Sequence, residues 1–183
     1  MDRGDESLGG ATLTNKSITT ILYEEEAAGR LVRFVPEMDH DETDVRELYL
    51  AANVHEFVRG NTEKHKNKAY FQRIRAALGE YVKGETINDD DETLKSLKHL
   101  YGDRTLAYEW EFKITFHPAA RIFGFFAKRN CLVLFVPELR SKLQTEDFRW
   151  AMEKNRDRWV AMFGNISPIK SGVLADCMDN FKC

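Results

Sequence analysis

From Trp110 the chain alternates without a fault: Trp110, Phe112, Ile114 and Phe116 fall on one side, Glu111, Lys113, Thr115 and His117 on the other. A period of two predicts a strand with one buried and one wet face. Pro118, which cannot donate to a ladder, ends it. A second strand is expected over 121–127, a polar turn at Lys128, Arg129 and Asn130, and a third strand over 131–136. That last run has no alternation, so it is expected to be covered on both faces, inside the sheet. The product is an antiparallel meander, with Lys113, His117 and Arg121 at its first corner and Lys128 and Arg129 at its second.

Upstream, 18–24 and 31–35 read as short β-like runs that pair as a hairpin turning at Gly29. Residues 37–44 form an acidic loop. A helix is expected over 44–59, with Val45, Leu48, Tyr49 and Ala52 on one face, ended by Gly60 and Asn61. A second helix over 66–83 turns Phe71, Ile74, Leu78 and Tyr81 inward, making a helical hairpin with the first. The acidic stretch 88–92 opens a third, short helix carrying Leu94, Leu97 and Leu100. The last helix reaches about 163. It starts either at Ser141, where Gln144 completes a capping box, or at Thr145 before Glu146 and Asp147. The organisation expected is a loose arm over 1–17, a single α+β domain over 18–165 and a tail over 166–183. The architecture is a small antiparallel sheet with the helical hairpin and the C-terminal helix packed on one face.

At 183 residues the chain is long enough to bury a core. No apolar run approaches the roughly 20 residues that span a bilayer, and the first ten residues lack the apolar stretch of a secretory signal. A cytoplasmic protein without membrane contact is expected. Three cysteines do not make a disulfide framework. Cys131 reads as a buried thiol, and Cys177 and Cys183 have no neighbours at metal-ligand spacing. The net charge of −3 argues against indiscriminate nucleic-acid binding. It is unevenly spread: residues 1–63 hold 6 basic and 14 acidic side chains, and residues 64–183 hold 21 and 16. An acidic head on a basic body fits a local anion-binding surface, a segment that shields one, or simply an uneven solvated surface.

The order strand, helical hairpin, three-stranded meander, C-terminal helix resembles the RelE/ParE toxin superfamily, above all its HigB-like and phage-derived branch. The likeness is carried by 97–101 leading into Ala107-Tyr108-Glu109-Trp110-Glu111-Phe112-Lys113-Ile114. It continues in Arg121-Ile122-Phe123-Gly124-Phe125-Phe126, in the place of the family's YRIFY strand, and in the apolar run 131–136. It covers about residues 31–163. Family members are usually smaller and basic, whereas this chain adds an N-terminal segment, a leucine-rich stretch and a tail.

The resemblance implies a toxin of a type II toxin–antitoxin system, a metal-independent endoribonuclease acting on mRNA, on the ribosome in some members. In that reaction the RNA's own 2′-hydroxyl attacks the adjacent phosphate, so the protein supplies cations and proton transfer and needs no cofactor. Carried over residue by residue, Arg121 would clamp the phosphate, Lys113 would be a second cation and His117 the acid/base group. Lys128 and Arg129 would hold the RNA backbone, and Phe123 and Phe125 would stack bases. Plainer readings stand beside these. Lys113 and Arg121 fit solvated strand positions, His117 fits a turn residue beside Pro118, Lys128 and Arg129 fit an exposed hairpin tip, and Phe123 and Phe125 fit core. The alternative function is a non-catalytic phage or mobile-element protein that binds a host protein or an antitoxin through the same sheet, as ParE-like members bind gyrase.

Overall fold

The computed structural model describes residues 16–37, 45–60, 68–85, 87–88, 93–97, 108–145, 148–179 and 181–182. In chain order the elements are α1 (Ile18–Ala27), β1 (Leu31–Arg33), β2 (Glu47–Ala51), α2 (Ala52–Arg59), α3 (Lys68–Val82), β3 (Ile87–Asn88) and β4 (Leu94–Ser96). They continue with β5 (Glu109–Ile114), β6 (Ala120–Lys128), β7 (Cys131–Leu139), α4 (Arg140–Thr145), α5 (Phe148–Phe163), α6 (Leu174–Cys177) and β8 (Phe181–Lys182). Six strands form one sheet in the order β1-β2-β7-β6-β5-β4. Every neighbouring pair is antiparallel except β2 and β7. β3 and β8 make a separate parallel pair. The protein is α+β, with a mostly antiparallel sheet.

The meander forms where the alternation places it. β6 and β7 join through Arg129 and Asn130, and Asn130 takes the left-handed conformation at φ 59° that a two-residue turn demands. β7 lies between β2 and β6, which explains its lack of alternation: all six residues from Cys131 to Val136 are buried. Gly124 sits at a bulge, where a Cβ would run into the carbonyl of Val133.

Both faces of the sheet are covered, which corrects the expectation of helices on one face. α5 lies on the face carrying Phe123 and Phe125: Phe148 meets Phe123 edge-on at 5.9 Å, and Trp159 meets Phe125 at 5.2 Å. The opposite face, carrying Trp110, Phe112, Ile114 and Ile122, is equally buried. The α2–α3 pair belongs to that side. The Tyr70 ring abuts Phe116 at 5.5 Å and its hydroxyl donates to the Pro118 carbonyl at 2.7 Å. α3 turns Phe71, Ile74, Leu78 and Tyr81 inward as its spacing demands.

Three elements differ from the sequence pattern. The run 18–24 is helix, not strand. Ser17 caps it by accepting from Thr20 N at 3.1 Å, and Gly29 turns the chain out of that helix rather than closing a hairpin. β1 pairs instead with β2. Residues 47–51 are strand, and helix begins only at Ala52. Leu48, Tyr49 and Leu50 are contiguous apolar residues, so they satisfy helical spacing without specifying it, and burial on both faces selects the strand. Leu94 belongs to a strand on the edge of β5, with Lys95 out and Ser96 in, rather than to a third helix.

The tail is packed. Arg46 donates to the carbonyls of Tyr81 (3.1 Å), Glu85 (3.0 Å) and Asp179 (2.8 Å), and Leu174, Cys177 and Met178 are buried. Burial pushes the Cys131 thiol up and the Cys177 thiol to about 12, so both are inert thiols. Residues 1–15 of the expected arm over 1–17, residues 38–44 of the acidic loop over 37–44, Leu100 and Cys183 lie outside the described residues, while Ser17 at the end of that arm caps α1.

Candidate functional site

The register of the meander decides which side chains meet. Lys113 lies directly opposite Arg121, and Arg121 directly opposite Glu138. One step along, Lys95 lies opposite Glu111 and Glu111 opposite Phe123. Directly opposed residues share a face, so Lys95, Glu111, Lys113, Arg121 and Glu138 crowd one end of the face that α5 covers further along.

At the centre Arg121 Nε lies 3.1 Å from Glu111 Oε2, both side chains almost wholly buried. The contact is ionic rather than a well-aligned hydrogen bond; Arg121 also donates through Nη1 to the Ala120 carbonyl at 2.9 Å. Burial pushes the Glu111 carboxyl above its ordinary value, while Arg121, Lys113, Arg140 and Lys95 pull it back, in that order. Arg121 touches this buried carboxylate, Lys95 lies opposite it on the ladder and Lys113 lies opposite Arg121. Lys113 is half-buried, and Lys95 and Arg140 are exposed.

The row continues onto the helices. Glu138 pairs with Lys142 at 3.2 Å, one turn into α4. Lys142 Nζ stands 4.4 Å from the centre of the Trp150 ring, and Lys154 Nζ 5.0 Å from it. Deeper under α5, Glu109 is wholly buried, with Arg156 Nε at 2.5 Å and Asn155 Nδ2 at 3.2 Å. These two glutamates correct the wet face expected of β5. The alternation is real, but α5 and the flanking strands cover both sides.

The expected site residues separate into three groups. Lys113 and Arg121 are brought together, and His117 is exposed on the turn between their strands. Lys128 lies at the far end of β6, about 23 Å from Arg121 at strand rise, with Arg129 in the turn just beyond it. There Lys128 pairs with Glu47 at 2.9 Å and Arg129 with Asp179 at 2.5 Å. Phe123 and Phe125 are core, their rings against Phe148 and Trp159, so neither shows a face to a base. Sequence reasoning missed Lys95, Glu111, Arg140, Lys142, Trp150 and Lys154 as members of the site. Only Glu138 with Lys142, four apart, left a local sign.

Elsewhere, a cavity of about 610 Å³ opens between residues 34–37 and α3, lined by Phe34, Pro36, Arg75 and Lys83 among others, and none of the expected site residues line it. Among the described residues no group of three or more His, Cys, Asp or Glu could hold a metal ion, and no helix is long and apolar enough to cross a membrane. Comparison of the chain with protein-family models, with curated proteins and with solved structures finds no match.

Proposed function

We propose that the chain is an RNA-directed protein of the RelE/HigB type, a toxin of a type II toxin–antitoxin system that engages RNA phosphate at the Lys113–Arg121 corner. The observation that carries this reading is the ladder register that sets Lys113 opposite Arg121 and Lys95 opposite Glu111, with Arg121 Nε 3.1 Å from Glu111 Oε2. Such a cluster, set on a rigid sheet, stabilises the charge that builds on a phosphate under attack. In the reaction, the 2′-oxygen bonds to phosphorus as the 5′-oxygen leaves. One proton departs the 2′-hydroxyl and one reaches the leaving oxygen, and His117, exposed between β5 and β6, is the candidate for that transfer. Arg121 is buried against Glu111, which corrects its expected role as an open phosphate clamp and leaves half-buried Lys113 with exposed Lys95 and Arg140 as the cations a phosphate would meet.

The second reading, a non-catalytic protein that binds a host protein or an antitoxin through this surface, draws on the same pair. Arg121 is already neutralised by Glu111.

Expression of the wild type, Lys113→Ala and His117→Ala, with growth and mRNA integrity followed, separates the two. The toxin reading expects the wild type to arrest growth and cut mRNA, with both variants relieved. Growth arrest with intact mRNA supports the partner-binding reading. A wild type harmless to both removes the ribonuclease.

A further inference from the structure

We infer that the cavity between residues 34–37 and α3 binds a short free peptide, about two or three residues long and apolar in its side chains; the inference is independent of the RNA-directed reading above. The cavity holds about 610 Å³. At about 100° per residue, the α3 residues that line it form one stripe. Gln72, Ala76, Gly79 and Lys83 run down its centre, with Arg75 on one flank and Glu80 on the other. Phe34, Val35 and Pro36 make the facing wall, so the middle of the cavity is apolar and its charges stand at the margins. Gly79 shapes this space. A glycine inside a helix is destabilising relative to alanine. Here a Cβ would stand 3.2 Å from the Pro36 Cβ, so the bare backbone lets the wall lie close to the helix.

The charges at the margins select the ligand. Arg75 is half-buried and donates through Nη1 to the Val58 carbonyl at 3.1 Å. Among the described residues it has no carboxylate partner, although Glu80 and Glu37 line the same cavity. A guanidinium carries five donors, so most of its capacity stays open. The Glu37 and Glu80 side chains are exposed and likewise take no partner among the described residues. Lys83 has a partner of its own and adds no open charge. A simple anion would suit Arg75 but meet two carboxylates, and a simple cation would meet the guanidinium. A ligand with a carboxylate at one end and an ammonium at the other suits both. The spacing sets its length: Arg75 and Glu80 are about 7.5 Å apart along the helix axis. A single amino acid carries both charges on one carbon, whereas two or three residues of extended chain span about 7–11 Å.

The test is calorimetric titration of the full chain with leucyl-leucine, its N-acetyl form, its C-terminal amide and free leucine. The free dipeptide should bind tightest, and each cap should weaken binding about tenfold by removing one charge-assisted hydrogen bond. Arg75→Gln should bring the dipeptide down to the level of its amide, and Glu80→Gln should narrow its gap from the N-acetyl form. Ala76→Leu, a substitution at an exposed helix position, should fill the cavity and abolish binding while thermal unfolding stays close to that of the wild type. The four ligands decide the matter on the wild type alone, so a variant that fails to fold does not shelter the inference. Equal binding of free and capped dipeptides overturns it, as does free leucine matching the dipeptide. Absence of binding by all four at millimolar concentration overturns it too. Dipeptide binding that survives Ala76→Leu puts the ligand elsewhere and also overturns the site. None of these outcomes bears on the RNA-directed reading, which the expression experiment decides.

Discussion

Arg121 Nε lies 3.1 Å from Glu111 Oε2, with the two side chains 8% and 7% exposed. Removing one member of such a pair strands the other charge, which typically costs about 3–5 kcal/mol. Glu111 keeps Lys113, Arg140 and Lys95 near it, so Arg121→Gln should fall at the low end, about 3 kcal/mol. The double variant Glu111→Gln/Arg121→Gln should be more stable than Arg121→Gln alone, because no charge remains buried. Urea unfolding of the two singles and the double closes the cycle. Strictly additive losses would show that the pair is not coupled.

Glu109 and Arg156 form a second pair of unequal exposure, 1% against 38%. Losing Arg156 leaves a buried carboxylate with only Asn155, whereas losing the charge of Glu109 leaves a guanidinium that water can reach. Arg156→Ala should therefore cost more than Glu109→Gln, by about 1–2 kcal/mol. The pH dependence has a definite sign. Burial raises the Glu109 carboxyl above its ordinary value, and hydrogen bonds from Asn155 and Arg156 only partly offset this. The folded chain thus holds the proton longer than the unfolded one, and this group's contribution to stability declines as pH rises from the ordinary glutamate value through the folded one. Thermal unfolding between about pH 4 and 7 should show a smaller decline in Glu109→Gln and a steeper one in Arg156→Ala.

Two glycines with the same backbone conformation separate strain from crowding. Gly29 and Gly60 have φ of 71° and 74°. A Cβ at Gly29 meets nothing within 4 Å, so Gly29→Ala should cost only the left-handed penalty, about 1–2 kcal/mol. At Gly60 the added methyl overlaps the Phe71 ring, itself edge-on to Phe57 in the core. Gly60→Ala should be the more destabilising of the two in denaturant unfolding. Equal losses would mean that the Phe71 ring moves aside freely.

The C-terminal segment should be the acid-labile part of the fold. Hydrogen bonds from Arg129 and Asn130 hold the Asp179 carboxyl below the usual aspartate range. A depressed folded value means that the contact is fully present above the unfolded value and is lost as pH falls through the folded one. Amides over 174–179 should lose protection, measured relative to the intrinsic rate at each pH, in acid before those of β6 and β7 do. Asp179→Asn should show that loss already at neutral pH.

What the sequence discloses is what short-range periodicity can encode. β5, β6, the turn at Asn130 and the inward face of α3 follow from alternation, helical spacing and turn chemistry. So does the burial of β7. The misread stretches are those where one apolar string fits two periods: Leu48-Tyr49-Leu50 reads as helix until β7 and β1 are known to flank it. Leu94 fails for a similar reason, since a three-residue edge strand leaves too short a pattern. At the site, Lys113 and Arg121 were legible because a hairpin register links them locally. Lys95, Arg140 and Trp150 reach the same surface from separate elements, and no local pattern ties them to Arg121. The burial of Phe123 and Phe125 under α5 is likewise a tertiary fact.

The parallel match of β2 with β7 joins residues 47–50 to 131–134. No turn can deliver that contact. While the chain is being made, Leu48 and Leu50 must wait without their β7 neighbours until more than eighty further residues have left the ribosome. Synthesis halted before β7 would therefore release a fragment in which β2, paired with β1 on one side, has its other edge open, the kind of species that chaperones hold and proteases clear.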